Sequence, residues 1–195
     1  MQELIISRHG ESTFSQHHTA DGDPAGQVAL TEAGREQAAH LGQELREATI
    51  DLCVTSEFLR TRETAGIALQ GREIPRLIDP DLNDVRYGSF QGKPIDQYHD
   101  WLREHGLTAI PPDGESRVHI AARAVQALHR ALQHPENTIL VVTHEMIIDD
   151  LQDATHGEVP DVSAPHIPYA TPFRFSREEV QHALEVLESW LKKME

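Results

Sequence analysis

Cysteine is nearly absent from this chain of 195 residues: Cys53 stands alone, so no intrachain disulfide can form. It sits in the short run Asp51-Leu52-Cys53-Val54, where a small buried hydrophobe is expected rather than a reactive thiol. Basic residues are scarce as well. Lys and Arg total 17 against 32 Asp and Glu, a formal net charge of −15. Nucleic acid and anionic membrane surfaces want clustered positive charge, so neither is expected as a partner. An anionic ligand would be opposed by the field of the whole surface, and its attraction must come from a few arginines acting at short range. Long apolar runs are also missing. No stretch reaches the roughly 18 apolar residues of a membrane span, so no transmembrane helix is expected. The chain opens on a strand-like run, with no charged stretch leading into an apolar core, so no secretory signal is expected and the cytoplasm is the default compartment.

What is present suits a globular protein. Hydrophobic residues make up 38% and charged ones 25%, and the length allows a sizeable core, so residues 1–195 are expected to form a single domain. No internal repeat, low-complexity tract or linker interrupts it. The organising stretch is Leu4-Ile5-Ile6-Ser7-Arg8-His9-Gly10-Glu11-Ser12. Its apolar run reads as a buried strand that stops at Arg8, and open α/β sheets place their ligands beyond the carboxyl ends of such strands. Arginine supplies a planar charged fork for phosphate, histidine a nucleophile, and glycine close backbone approach. A solvated arginine beside a chance histidine is the alternative, which these three residues leave open.

A polar stretch from Thr13 to Ala29 shows no period and reads as a loop over that strand end. A helix follows with Thr31 as N-cap and Ala38, Leu41, Leu45 and Ala48 on one face. A strand is expected at about Leu52 to Thr55, ending at Ser56, and then a helix over about Phe58 to Leu69 with Arg60 and Arg62 near its start. Leu77 to Gly92 reads as a short strand and an irregular loop, and Ile95 to Glu104 as a short helix before the breaker Pro111-Pro112-Asp113-Gly114. The next helix puts Val118, Ala121, Ala122, Val125, Leu128 and Leu132 on one face. Thr138 to Thr143 is the clearest buried strand and ends at His144-Glu145. A helix is expected from about Met146, and Pro172-Phe173-Arg174-Phe175 reads as an edge strand. Ser176-Arg177-Glu178-Glu179 forms a capping box for a final helix with Val180, Ala183, Leu184, Leu187, Leu191 and Met194 on one stripe. That helix either caps its own sheet, the preferred reading, or meets a second copy in a homodimer. Strands separated by helices imply right-handed crossovers and a three-layer α/β/α fold with a mainly parallel sheet.

Three buried-type strands thus end in Arg8-His9, Ser56 with Arg60 one turn on, and His144. In a parallel sheet these ends share an edge, where two arginines and two histidines would neutralise a dianionic phosphoryl group. The 13 histidines show no metal-ligand spacing and there is no thiolate partner, so no metal or other cofactor is expected.

The run Leu4 to Ser12, with its Arg-His-Gly-Glu-Ser core, resembles the signature of the histidine phosphatase superfamily, which includes the phosphoglycerate mutases. The resemblance continues in order through Leu30 to Ala38, Thr55 to Ala65, Leu82 to Gly92, Gly114-Glu115-Ser116 and Val141 to His144. It implies a phosphoglycerate mutase-like fold and a metal-independent phosphatase acting on a small phosphorylated substrate. His9 would take the phosphoryl group, and Arg8, Arg60 and His144 would hold its oxygens. Asp84 stands where the family's Leu-x-Glu-x-x-x-Gly loop carries an acid that protonates the leaving oxygen, one methylene shorter than glutamate.

The sequence departs from the family elsewhere too. Phe14-Ser15 replaces the usual Trp-Asn, so Ser15 offers a hydroxyl where an amide would contact phosphate. Glu145 replaces the glycine after the second histidine. Its backbone N–H suits a phosphate, and its side chain is expected to point out. Arg86 and Lys93 are candidates for substrate recognition, with a solvated role equally open. Two other readings stand beside hydrolysis: mutase-type phosphoryl transfer, and a regulatory module that holds a phospho-ligand with little turnover. Only about 25 residues separate Gly88 from Gly114, leaving little room for the insertion by which the family's mutases guard the intermediate from water.

Overall fold

The computed structural model describes residues 1–164 and 166–194. Its centre is strand β1 (Glu3–Arg8), whose four middle residues are buried. After β1 come α1 (Thr13–Gln16), α2 (Glu32–Glu44), β2 (Leu52–Thr55), α3 (Leu59–Ala68) and β3 (Arg76–Ile78). The chain continues through α4 (Ile95–His105), α5 (Arg117–Gln133), β4 (Thr138–Thr143), α6 (Glu145–Thr155), β5 (Pro172–Ser176) and α7 (Arg177–Met194). The sheet order is β3-β2-β4-β1-β5. All pairings are parallel except β1 with β5, so Pro172 to Phe175 does lie on an edge strand.

Alternation along the strands builds the layers, because successive side chains leave opposite faces of a sheet. Leu4, Ile6, Val54, Ile139 and Val141 share a core with residues of α5, α6 and α7. Ile5, Cys53, Leu140 and Val142 pack on the other face against Leu41, Leu45, Ala65 and Ala68 of the α2–α3 side. This is the expected three-layer α/β/α arrangement. Each fully buried aliphatic side chain, such as Leu41 at 0% exposure, contributes about 1.5–3 kcal/mol of transfer free energy. Cys53 is buried as well, and burial pushes its thiol up to about 12. A third cluster joins Tyr98 and Leu102 of α4 to Val85, Tyr87, Ile120 and Met146, closing one side of the strand ends.

The caps act as their residue types dictate. Thr31 Oγ1 accepts from Gly34 N, and Ser176 and Glu179 exchange both bonds of the capping box. The final helix covers its own sheet face through Val180, Ala183, Leu184 and Leu187. Trp190 is buried there, while Met194 is only half-buried. Three features differ from the sequence reading. The Thr13–Ala29 stretch holds α1 and a 3-10 turn at Pro24–Gly26, the turn capped by Asp23. Val118 and Ala122 of α5 are half-buried; Ile120 and Ala124 instead pack with Tyr98, Leu102 and Met146, and Ala127 joins the core that holds Leu82 and the α7 residues. Helix α6 begins at Glu145. Among the described residues no helix is long and apolar enough to cross a membrane.

Candidate active site

The carboxyl ends of β1, β2 and β4 open into one cavity of about 670 Å³. Beyond β1 the chain is held by its backbone: His9 N donates to Thr143 O, and Gly10 N donates to Thr64 Oγ1 at 2.9 Å. The loop lies directly on the start of α2. A Cβ on Gly34 would stand 2.0 Å from Glu11 O, and one on Gly10 would stand 2.4 Å from Gly34 O. Only glycine allows both approaches. The loop carrying Asp84 is fixed on the other side, where Gly88 at φ +56° folds against Pro112.

His9 is 4% exposed, and its Nδ1 lies 2.7 Å from Gly10 O. A carbonyl only accepts, so Nδ1 carries the proton and Nε2 keeps its lone pair. Nε2 accepts from Arg60 Nε at 3.2 Å. Burial, then the charges of Arg60, His144 and Arg8, hold His9 well below the ordinary imidazole range, against a pull upward from Gly10. The ring is therefore neutral, the form that can attack phosphorus. The His144 ring lies 5.3 Å from it, centroid to centroid. Ser56 Oγ is 2.9 Å from His144 Nε2 and Phe58 lies edge-on to the ring. Burial lowers His144 to about 4, opposed by Asp84.

Arg60 joins these groups. Its Nη1 donates to Asp21 Oδ2 at 2.5 Å, and its Nη2 to Asp84 Oδ2 at 2.9 Å. Asp84 Oδ2 is also 3.4 Å from His144 Nδ1. Burial alone would raise the Asp84 carboxyl, but His144, Arg60 and the Val85 N–H outweigh it and hold the group far below the usual carboxylate range. The loop itself hangs on Arg123 of α5, which donates to the carbonyls of Asp81, Asn83 and Asp84 and pairs with Glu115 at 2.8 Å. Glu115 in turn accepts from Arg86 N.

Glu145 corrects an expectation: its side chain turns inward. Oε1 accepts from Arg8 Nη1 at 2.7 Å and from Ile167 N at 2.9 Å. An arginine beside an otherwise unpaired N–H is a better environment for the carboxylate than the alternative of open solvent with Arg8 left alone. Burial raises the Glu145 carboxyl, and Arg8 works against that. Arg8 also donates to Ile167 O and lies over the Tyr169 ring at 4.1 Å, while its buried Nε has no partner among the described residues. Ser15 lines the cavity, but its hydroxyl is engaged in a capping box with Ser12, as the first turn of α1 requires. Arg86 and Lys93 do not reach the cavity. Both are exposed, Arg86 because Val85 and Tyr87 on either side point into the core, and Lys93 lies near the Phe90 ring.

His9, Arg8, Arg60, Asp84 and Glu145 thus line one cavity with Ser15 at its edge, and His144 is buried behind them, 5.3 Å from the His9 ring and 3.4 Å from Asp84. Sequence reasoning missed Asp21, Thr64, Arg123 and Tyr169. Asp21 lies in Asp21-Gly22-Asp23-Pro24, which carries only a turn signal, and Arg123 sits mid-helix with no local cue. Among the described residues no three His, Cys, Asp or Glu side chains are grouped as a metal site.

A parallel sheet edge presenting a neutral buried imidazole among arginines, with a carboxyl in reach, defines an α/β protein with a phosphoryl-transfer site. The chain belongs to the histidine phosphatase superfamily, branch 1, whose family model matches residues 4–188. It is 31% identical over 168 residues to a protein of Erwinia tasmaniensis named "Probable phosphoglycerate mutase GpmB", covering 80% of this chain and 76% of that one. It is 29% identical over 155 residues to the adenosylcobalamin/alpha-ribazole phosphatase of Salmonella typhimurium, covering 74% and 75%. Among solved structures, Bacillus stearothermophilus YhfR superposes with a TM-score of 0.77 at 28% identity, covering 89% of this chain and 90% of that one.

Proposed function

We propose that this chain hydrolyses small phosphomonoesters through a phosphohistidine on His9. Nε2 attacks phosphorus, the bond to the ester oxygen breaks, and that oxygen leaves as an alcohol with a proton from Asp84. Arg8, Arg60 and His144 hold the three equatorial oxygens, the electrostatic support on which phosphoryl transfer chiefly depends. Water, deprotonated by Asp84, then attacks the phosphohistidine, breaking the N–P bond and restoring Nε2. The observation that carries this reading is the Nδ1–H···O bond to Gly10, which leaves the lone pair on Nε2 of a buried neutral imidazole, free to attack once Arg60 Nε turns from it to the phosphate.

In the free protein Asp84 is ionised, because Arg60 and His144 favour its charge. A dianionic phosphoryl group on Arg60 reverses that: it draws on the same guanidinium and sets like charge beside the carboxyl, so the proton affinity of Asp84 rises. The Glu145–Arg8 pair must also yield one donor to the incoming phosphate. Transfer within phosphoglycerate is the second reading, supported by the name of the Erwinia relative.

The test is rapid quench with a radiolabelled phosphomonoester. Acid-labile label on His9, with label and turnover both lost in His9→Ala, supports the proposal. Turnover unchanged in His9→Ala overturns it. Exchange of phosphate between the 2- and 3-positions of glycerate, faster than release to water, would favour the mutase.

A further inference from the structure

The cavity is much larger than a phosphate, and its size is that of pockets that take whole organic ligands, about 300–1,000 Å³. Beyond the phosphoryl end its wall mixes apolar and aromatic side chains, Phe14, Ile95, Met146 and Ile167, with polar ones such as Thr19 and Asp96. Its charges are lopsided. The only lining Lys or Arg side chains among the described residues are Arg8 and Arg60, while Asp21, Asp84, Asp96 and Glu145 are all lining carboxylates. Three of those carboxylates already pair with the two arginines. Asp96 is exposed in the first turn of α4, at the mouth. The two cations that could have faced a second anion, Arg86 and Lys93, lie outside the cavity.

A bound phosphoryl dianion therefore leaves the pocket negative, even with Asp84 protonated. A second anion on the alcohol would meet no lysine or arginine there, only the imidazoles of His18, His99 and His166, and like charges juxtaposed across a binding surface repel. A positive group relieves the excess, and a cation over an aromatic face is attracted further. The net charge of −15 acts in the same direction on approach. We propose that this cavity selects phosphomonoesters of alcohols that carry a positive charge on an apolar or aromatic body, and rejects those that carry a second anion. This rests on the phosphatase reading above, with Asp96 and Glu145 as the residues that set the preference.

Three esters share one reacting bond and similar size: 4-(aminomethyl)phenyl, phenyl and 4-carboxyphenyl phosphate. At about pH 8, where free imidazole is neutral, kcat/KM should fall in that order. The cationic ester should exceed the anionic one by about tenfold or more at low ionic strength, and the ratio should shrink as salt screens it. Asp96→Asn and Glu145→Gln should each narrow the ratio, and Asp96→Lys should invert it. A substitution that only loosened the fold would lower all three esters together and leave the ratio unchanged. Equal rates, or a preference for the carboxylate, overturn the inference while phenyl phosphate turnover leaves the phosphatase reading standing. If phenyl phosphate is not hydrolysed at all, the phosphatase reading fails. The affinities of the same three esters for His9→Ala, measured by calorimetry, then decide the charge preference separately.

Discussion

Replacing Asp84 with Asn keeps the shape of the side chain and removes both its charge and its acidity. Its Oδ2 now accepts from Arg60 at 2.9 Å and lies 3.4 Å from His144 Nδ1, so two effects of opposite sign follow. A positioned general acid contributes about a hundred- to ten-thousandfold, which is about 3–5 kcal/mol of barrier. That loss falls on esters whose leaving oxygen needs a proton, so kcat for an alkyl phosphate should drop by about that factor. p-Nitrophenolate leaves without one, and kcat for p-nitrophenyl phosphate should fall by less than about tenfold. Phosphate itself should bind more tightly. A hydrogen bond to a charged group nets about 1.5–3 kcal/mol, and with only a neutral amide oxygen left to compete for Arg60 the inhibition constant should tighten by up to about tenfold. Steady-state kcat and KM for both esters, with inhibition by inorganic phosphate, read all three quantities. Equal fractional loss on both leaving groups, or an alkyl phosphate turned over at the wild-type rate, would refute the assignment of Asp84.

Arg123→Met removes the donors that hold the carbonyls of Asp81, Asn83 and Asp84 and leaves Glu115, 9% exposed, without its cation. Stability should fall by about 3 kcal/mol in urea melts, and alkyl phosphate turnover should suffer more than aryl, as for a residue acting through Asp84. Gly34→Ala would place a methyl 2.0 Å from Glu11 O, so a loss of about 1–3 kcal/mol is expected from overpacking, with KM raised because the loop bearing His9 is pushed outward. Buried His9 and His144 bind protons in the unfolded chain before the folded one, since both pKa values are lowered in the fold. Stability from these rings is present above pH 6.5 and is lost as pH falls toward about 4. Nitrogen-15 ring shifts should show His144 still neutral at pH 5.5, and a midpoint near 6.5 would contradict the burial argument. Asp149 titrates the other way: burial, then Asp153 and Asp150, raise it to about 6. The penalty for its charge grows as pH rises through that value, so Asp149→Asn should raise the melting temperature at pH 7.5 and not at pH 4.

Much of this could be read along the chain because it is locally encoded. The apolar runs of β1 and β4, the caps at Thr31 and Ser176, and the abrupt stops at Arg8-His9 and at His144 depend on neighbours within a few residues. So does the logic that parallel strands separated by helices align their carboxyl ends. That is why His9, Arg60 and His144 could be placed together although over a hundred residues apart. By itself the sequence determined the layers, the edge strand and the residue types at the site.

Only the tertiary structure decided where charges face. Glu145 looked free to point at solvent, yet Arg8 and the Ile167 N–H, neither its neighbour in sequence, draw it inward. Arg86 looked available for substrate, yet its buried neighbours Val85 and Tyr87 turn it out. Asp21 carried no signal because the partners of its carboxylate, Arg60 and Gln91, lie 39 and 70 residues away. Periodicity reports which face of an element is apolar. The direction of a charged side chain is set by partners that folding alone brings within a few ångströms, where Coulomb energies are strong.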